Sequence, residues 1–176
     1  MATSESMKIF KVVVDELGSS LKPYGFKYLK SKRSATRQGV LFEHSVTFSS
    51  SRSINSIEGH IHLEIRATAL SEDFGEFRRS KGIELPINEA CLFGTTIENL
   101  LVEAPPYIRY DIGNEHERPR IIQSIHSVLS DEVLKVFDLI ESPEALESFL
   151  QSNKLPALYE FNAKEDYFDF INSKIA

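Results

Sequence analysis

The sequence predicts an α+β domain: an N-terminal helix, an antiparallel β-meander, and C-terminal helices packed on one face of the sheet. Three observations predict it. Ile9, Phe10, Val13, Val14 and Leu17 recur at the spacing of an amphipathic helix. From Ile57 to Ala69 apolar and polar residues alternate strictly, the period of a strand with one buried face. Beyond Ile121 the apolar residues return to helical spacing, so strands come early and helices late.

A chain of 176 residues is the size of one ordinary domain and can bury a core without disulfide or metal staples. Its 41% hydrophobic and 26% charged content argues against wholesale disorder. The single cysteine, Cys91, rules out an intrachain disulfide and reads as a buried small hydrophobe among apolar neighbours. The longest apolar stretch near the N-terminus, Ile9 to Val14, is broken by Lys11 and followed by Asp15 and Glu16, unlike a secretory signal. No apolar run approaches the roughly 20 residues of a membrane helix. The expectation is a cytoplasmic protein with no membrane association.

Taken in order, residues 1–6 are small and polar and are expected to be disordered, leaving 7–176 as a single domain. The first helix weakens at Gly18-Ser19-Ser20 and stops at Pro23 and Gly25. Phe26 to Lys30 reads as a short strand. Val40, Phe42, His44, Val46 and Phe48 alternate with polar partners and predict a second strand through Ser49. The serine-rich stretch 49–56 reads as a hairpin connection to the long alternating strand. Matching apolar to apolar faces sets His62 opposite Glu43 or Ser45.

Ser71 is placed to cap a short helix through Arg79, closed by Gly82. Residues 83–103 stay open between helix and strand: Ile83 to Phe93 suits a strand interrupted by Pro86. Thr95-Thr96-Ile97-Glu98 matches a capping box, so Thr96 to Val102 suits either state. Tyr107 to Ile112 reads as a strand, and Gly113 to Arg118 as a polar loop. Ile121, Ile122, Ile125, Val128 and Leu129 stay nearly in phase with Phe137, Leu139 and Ile140, giving one long helix or two meeting at Ser130. Ser142-Pro143 pairs a capping hydroxyl with proline at the first helical position; Leu146, Phe149 and Leu150 then face the core. Asn162-Ala163-Lys164-Glu165 opens a last helix carrying Tyr167, Phe168, Phe170 and Ile171.

Several short motifs lie along this order: Leu21 through Gly25-Phe26-Lys27, Phe42 to Ser50 before the long strand, and Ser142-Pro143-Glu144 followed by Leu155-Pro156. On these the chain resembles a family of small, functionally uncharacterised bacterial α+β domains, some of whose members look like immunity proteins encoded near toxins. The resemblance implies a role in binding another protein. It carries no catalytic residue onto any position here.

Charge is segregated. Residues 1–95 hold 13 Lys/Arg against 11 Asp/Glu, net +2, and residues 96–176 hold 7 against 15, net −8, summing to −6. The basic segment, with Lys27 to Arg37 at its centre, also holds Tyr24, Phe26 and Tyr28, a mixture that suits phosphate or single-stranded nucleic acid. Lysines equally protect an exposed edge strand, and a pI near 5.4 makes nucleic acid the less favoured partner. The acidic half is the better binding candidate. Tyr107, Tyr110, Asp111, Glu115 and Glu117, with Glu165 and Asp166, combine aromatic contact area with carboxylates that steer a basic protein.

The chemistry-bearing pattern is His60, His62 and Glu64. Residues at i and i+2 of a strand share a face roughly 6–7 Å apart, so two imidazoles and a carboxylate there could share a divalent metal. That requires a further ligand from a neighbouring strand. Glu58, His60, Glu64 and Arg66 equally form the alternating charge ladder of a solvated sheet face, which is the favoured reading. His44 falls on an apolar face as a core histidine, His126 beside a helix stripe, and His116 in a polar loop. There is no P-loop, dinucleotide fingerprint, G-x-S-x-G, H-E-x-x-H or CxxC. The balance favours a non-catalytic protein-binding domain without a cofactor. The alternatives are a metal-dependent enzyme or metal-binding domain using His60, His62 and Glu64, and phosphate or nucleic-acid binding through Lys27 to Arg37.

Overall fold

A computed structural model describes residues 4–50, 60–85, 88–101, 110–159 and 162–175. The first helix, α1 (Ser4–Ser20), buries Phe10, Val13, Val14 and Leu17, the stripe expected from their spacing. It begins at Ser4, so Ser4 to Ser6 belong to a helix rather than to a disordered leader. A 3-10 turn (Lys22–Tyr24) follows. Gly25 closes it at φ 84°, in the left-handed region where a Cβ would be strained.

Six strands form one antiparallel sheet among the described residues. They are β1 (Lys27–Leu29), β2 (Ser34–Gln38), β3 (Glu43–Ser50), β4 (His62–Leu70), β5 (Cys91–Thr96) and β6 (Tyr110–Asp111). The order is β1-β2-β3-β4-β5, with β6 also paired to β4. Strand β2 is absent from the sequence reading because its core-facing residues are Ala35 and Arg37, which give no apolar alternation. Val40 lies outside β3 and is 89% exposed; Gly39 N–H donates to Phe42 O across a tight turn there.

The β3–β4 register corrects the expected pairing of His62. Ser50 pairs with Leu63 and Glu43 with Leu70, so neither Glu43 nor Ser45 faces His62. Ile57 to Gly59, expected at the start of this strand, lie outside the described residues.

One sheet face is apolar and covered. Val46, Phe48, Leu63, Ile65, Ala67 and Ala69 are buried there, and Phe137 packs on it against Phe26, His44 and Phe93. The other face carries Glu43, Ser45, Thr47, Glu64, Arg66 and Thr68, partly or fully exposed. The helices thus sit on one face, as the amphipathic patterns require.

Helix α2 (Glu72–Ser80) is capped as expected: Phe74 N–H donates to Ser71 Oγ at 3.4 Å, and Gly82 follows at φ 69°. The open stretch resolves into β5 followed by a 3-10 turn (Ile97–Leu100). Thr96 stands in the cap position without a side-chain cap bond. Helix α3 (Arg118–Val128) continues through a π turn (Leu129–Val133) into α4 (Leu134–Leu139), with no break at Ser130. The π turn absorbs the phase drift, so Ile125, Leu129, Val133, Val136, Phe137 and Ile140 are all buried.

Helix α5 (Pro143–Ser152) starts where proline predicts it. Ser142 makes no side-chain cap bond, however, so its hydroxyl does not cap as expected. Helix α6 (Ala163–Ile175) buries Tyr167 and Phe170; Phe170 packs edge-on against Phe74. Among the described residues no helix is long and apolar enough to cross a membrane.

Candidate interaction surface

The His60–Glu64 ladder splits into three environments. His60 precedes β4, its side chain 53% exposed, and its Nδ1 bonds Asp111 Oδ2. Asp111 Oδ1 accepts from the backbone N–H groups of Ile61 and Gly113, each at 3.0 Å. Burial opposes ionisation of Asp111, yet these two N–H donors and His60 outweigh it and hold the carboxyl below the usual range. His62 is buried at 5% exposure, against the expectation of a wet face, because β6 pairs beside it and makes this strand end interior. Glu64 is partly exposed, 3.8 Å from Arg66. Among the described residues no three His, Cys, Asp or Glu side chains converge as a metal cluster. Glu58 lies outside them.

The expected acidic and aromatic surface is also divided. Tyr107 lies outside the described residues. Tyr110 is buried rather than exposed, its phenol pushed up to about 12 by burial and by the charge of Glu98. Asp111 is committed to the His60 corner. Asp166 is buried too: its Oδ2 accepts from Arg78 Nε at 2.8 Å. Arg78 in turn donates to the carbonyls of Glu89 and Cys91 and lies 4.1 Å over the Phe74 ring. Glu115, Glu117 and Glu165 are exposed. Their helical or loop positions alone cannot separate them from Asp166, since burial depends on what packs across from each.

A polar junction unforeseen as a unit joins the meander to α4. Arg37 donates from Nε and Nη2 toward His44 Nδ1, at 3.3 and 3.2 Å, and from Nη2 to Asp138 Oδ1 at 2.7 Å. On the far side of the imidazole, His44 Nε2 lies 2.8 Å from Glu141 Oε1. This fixes the neutral tautomer with its proton on Nε2. Glu141 also accepts from the N–H groups of Leu41 and Phe42, at 2.6 and 3.1 Å. His44 is fully buried and stacks on Phe137 at 4.5 Å. Burial lowers its pKa and Arg37 adds to this, against the opposing pull of Glu141. The central imidazole has no solvent access while Asp138 at the cluster's edge is exposed, and the cluster reads as structural because it ties the meander to α4.

The basic segment is partly consumed in the same way. Lys30 pairs with Asp15 at 2.9 Å, which also accepts from Tyr28 Oη, and Arg33 lies 5.2 Å over Phe10. Cys91 is buried, and burial pushes its thiol up to about 11 despite nearby Arg78. His116 is exposed in its loop, and His126 Nε2 lies 3.9 Å from Glu16.

One apolar concavity was not signalled by any motif. A cleft of about 450 Å³ opens between α4 and α5. Leu100, Val136, Leu139, Phe149 and Leu155 form its apolar wall, Ala145 its lip, and Glu132, Lys135 and Asp138 its charged rim. Its size and lining suit an inserted apolar group. In the sequence these positions look like ordinary helix stripe; only the meeting of α4, α5 and the 3-10 turn at Leu100 hollows them. Comparison with known proteins finds no matching family model, no similar curated protein and no similar solved structure.

Proposed function

We propose that this chain is a non-catalytic domain that binds a basic protein, with an immunity-type role, the occlusion of a toxin or effector, as its most concrete form. The observation that carries the reading is how its acidic residues are used. Asp111, Glu141 and Asp166 are consumed in internal contacts, while Glu115, Glu117, Asp131, Glu144, Glu147, Glu165 and Asp169 stand exposed on the acidic half. Exposed carboxylates of one sign steer a cationic partner and accelerate its approach at low salt. The buried titratable groups around His44 and Arg78 support the same reading, since they are engaged in holding elements together.

The test is affinity capture in the native cells at low ionic strength, followed by salt titration of the purified pair. A stable basic partner whose association slows steeply with salt, and slows further in Glu115→Lys/Glu117→Lys, is the expected result. Failure to recover a partner, or recovery of one whose binding ignores both salt and charge reversal, overturns it.

A further inference from the structure

We infer that the α4–α5 cleft is where the partner anchors, and that it takes one large apolar side chain from an amphipathic segment flanked by lysine or arginine. This deepens the protein-binding reading and rests on it. Two independent features meet at this place. The first is an apolar cavity of about 450 Å³ walled by Leu100, Val136, Phe149 and Leu155, enough for a leucine or phenylalanine side chain. The second is charge. Residues 131–147 carry Asp131, Glu132, Asp138, Glu141, Glu144 and Glu147 against Lys135 alone, net −5.

Glu141 turns inward to the β2–β3 connection, and Asp138 is held by Arg37. Asp131 and Glu144 are exposed and adjoin in sequence the lining residues Glu132 and Ala145, and Glu147 is exposed on the same helix as Ala145. An apolar hollow set in a segment of net negative charge selects against acidic or purely polar segments, whose charges would be repelled or desolvated without a partner. It fits a helix-in-groove mode in which an apolar residue anchors and cations face the rim. The cleft also lies on rigid elements. The π turn supplies Glu132, α4 supplies Val136 and Leu139, and α5 supplies Ala145 and Phe149.

The probe is a short synthetic peptide of lysine and leucine with amphipathic helical spacing and one central phenylalanine. Binding to the full chain is followed by fluorescence anisotropy and by amide shifts around Ala145 and Phe149. Saturable binding is expected. It should weaken by about tenfold or more when the peptide's phenylalanine becomes alanine, the loss expected for one buried side chain. Ala145→Trp, a change at an exposed lip position, should weaken it comparably with an unchanged thermal midpoint. Glu144→Lys/Glu147→Lys keeps the cleft open and should weaken binding mainly at low salt.

If Ala145→Trp and the alanine peptide bind as the originals do while charge reversal still weakens binding, the cleft is overturned and the acidic-surface reading stands. No saturable binding, or shifts confined to another surface, overturns the cleft as well. Equal binding of a peptide with glutamate in place of lysine overturns both readings.

Discussion

The two ends of the β3–β4 ladder each carry a histidine held by a carboxylate, and they differ in nearly everything else. At one end His44 is fully buried, stacked on Phe137, with Arg37 on Nδ1 and Glu141 on Nε2. At the other His60 is 53% exposed and meets Asp111, whose second oxygen serves two backbone N–H groups. The same chemical pair is a structural tie where water is excluded and a modest corner where it is not. The protein keeps its buried polar groups for joining elements and leaves its surplus charge on the surface.

The largest expected effect comes from removing the buried carboxylate. Glu141→Ala leaves the N–H of buried Phe42 and the N–H of Leu41 without their acceptor and removes the carboxylate beside His44 Nε2. It should lower stability by about 3 kcal/mol in urea unfolding. Glu141→Gln, which keeps an acceptor, should recover part of this; equal loss in both would mean the charge, not the hydrogen bonding, holds the junction.

Next in size is a pH effect. The folded pKa of His44 lies below its ordinary 6.5, so between the two values the unfolded chain binds a proton that the native state does not. Stability is therefore fully present above pH 6.5 and falls as pH drops through that value towards the folded pKa. The slope is at most about 1.4 kcal/mol per pH unit for one proton. Arg37, Asp138 and Glu141 are the charged groups that act on this imidazole. His44→Gln should flatten the urea midpoint between pH 7 and about 5.5; an unchanged slope would assign it elsewhere. The Asp111 corner occupies a different window. Its depressed carboxyl supports the fold above the ordinary carboxylate value of 3.8, and that support is lost as pH falls through the folded pKa.

The contrast sharpens at His60. His60→Ala removes a half-exposed partner that leaves Asp111 its two backbone donors, so the cost should stay within about 1 kcal/mol. A loss as large as that from Glu141→Ala would erase the distinction between the two ends. Smallest of all on stability is Glu115→Lys/Glu117→Lys. It should leave the unfolding midpoint unchanged while slowing association with a basic partner, read by stopped flow at two salt concentrations.

Much of this architecture was written locally. The α1 stripe, the alternation of β3 and β4, the Ser71 cap and the proline start of α5 depend on spacings set by backbone geometry; the helix features appear where the sequence places them, whereas β3 begins only at Glu43 and pairs with β4 in another register. Strand β2 escaped because Arg37, a charged residue, occupies a core-facing position. It is tolerated there because His44, Asp138, the Tyr24 carbonyl and the Phe26 ring receive its guanidinium. The candidate surface was less legible. Glu165 and Asp166 are neighbours in sequence, yet one reaches solvent and the other meets Arg78.

What the sequence alone determined is the α+β class, the wet and dry sides of its central strands except at His62, and the charge imbalance between its halves. All three follow from residue order within a few positions. What only the tertiary structure decided is which polar groups are consumed and where the surface is hollow. Arg37 finds Asp138 across 101 positions of chain, and Leu41 finds Glu141 across 100. The α4–α5 cleft needs Leu100, Val136 and Leu155 brought together from three separate elements. Such contacts depend on packing between distant segments, and no local period encodes them.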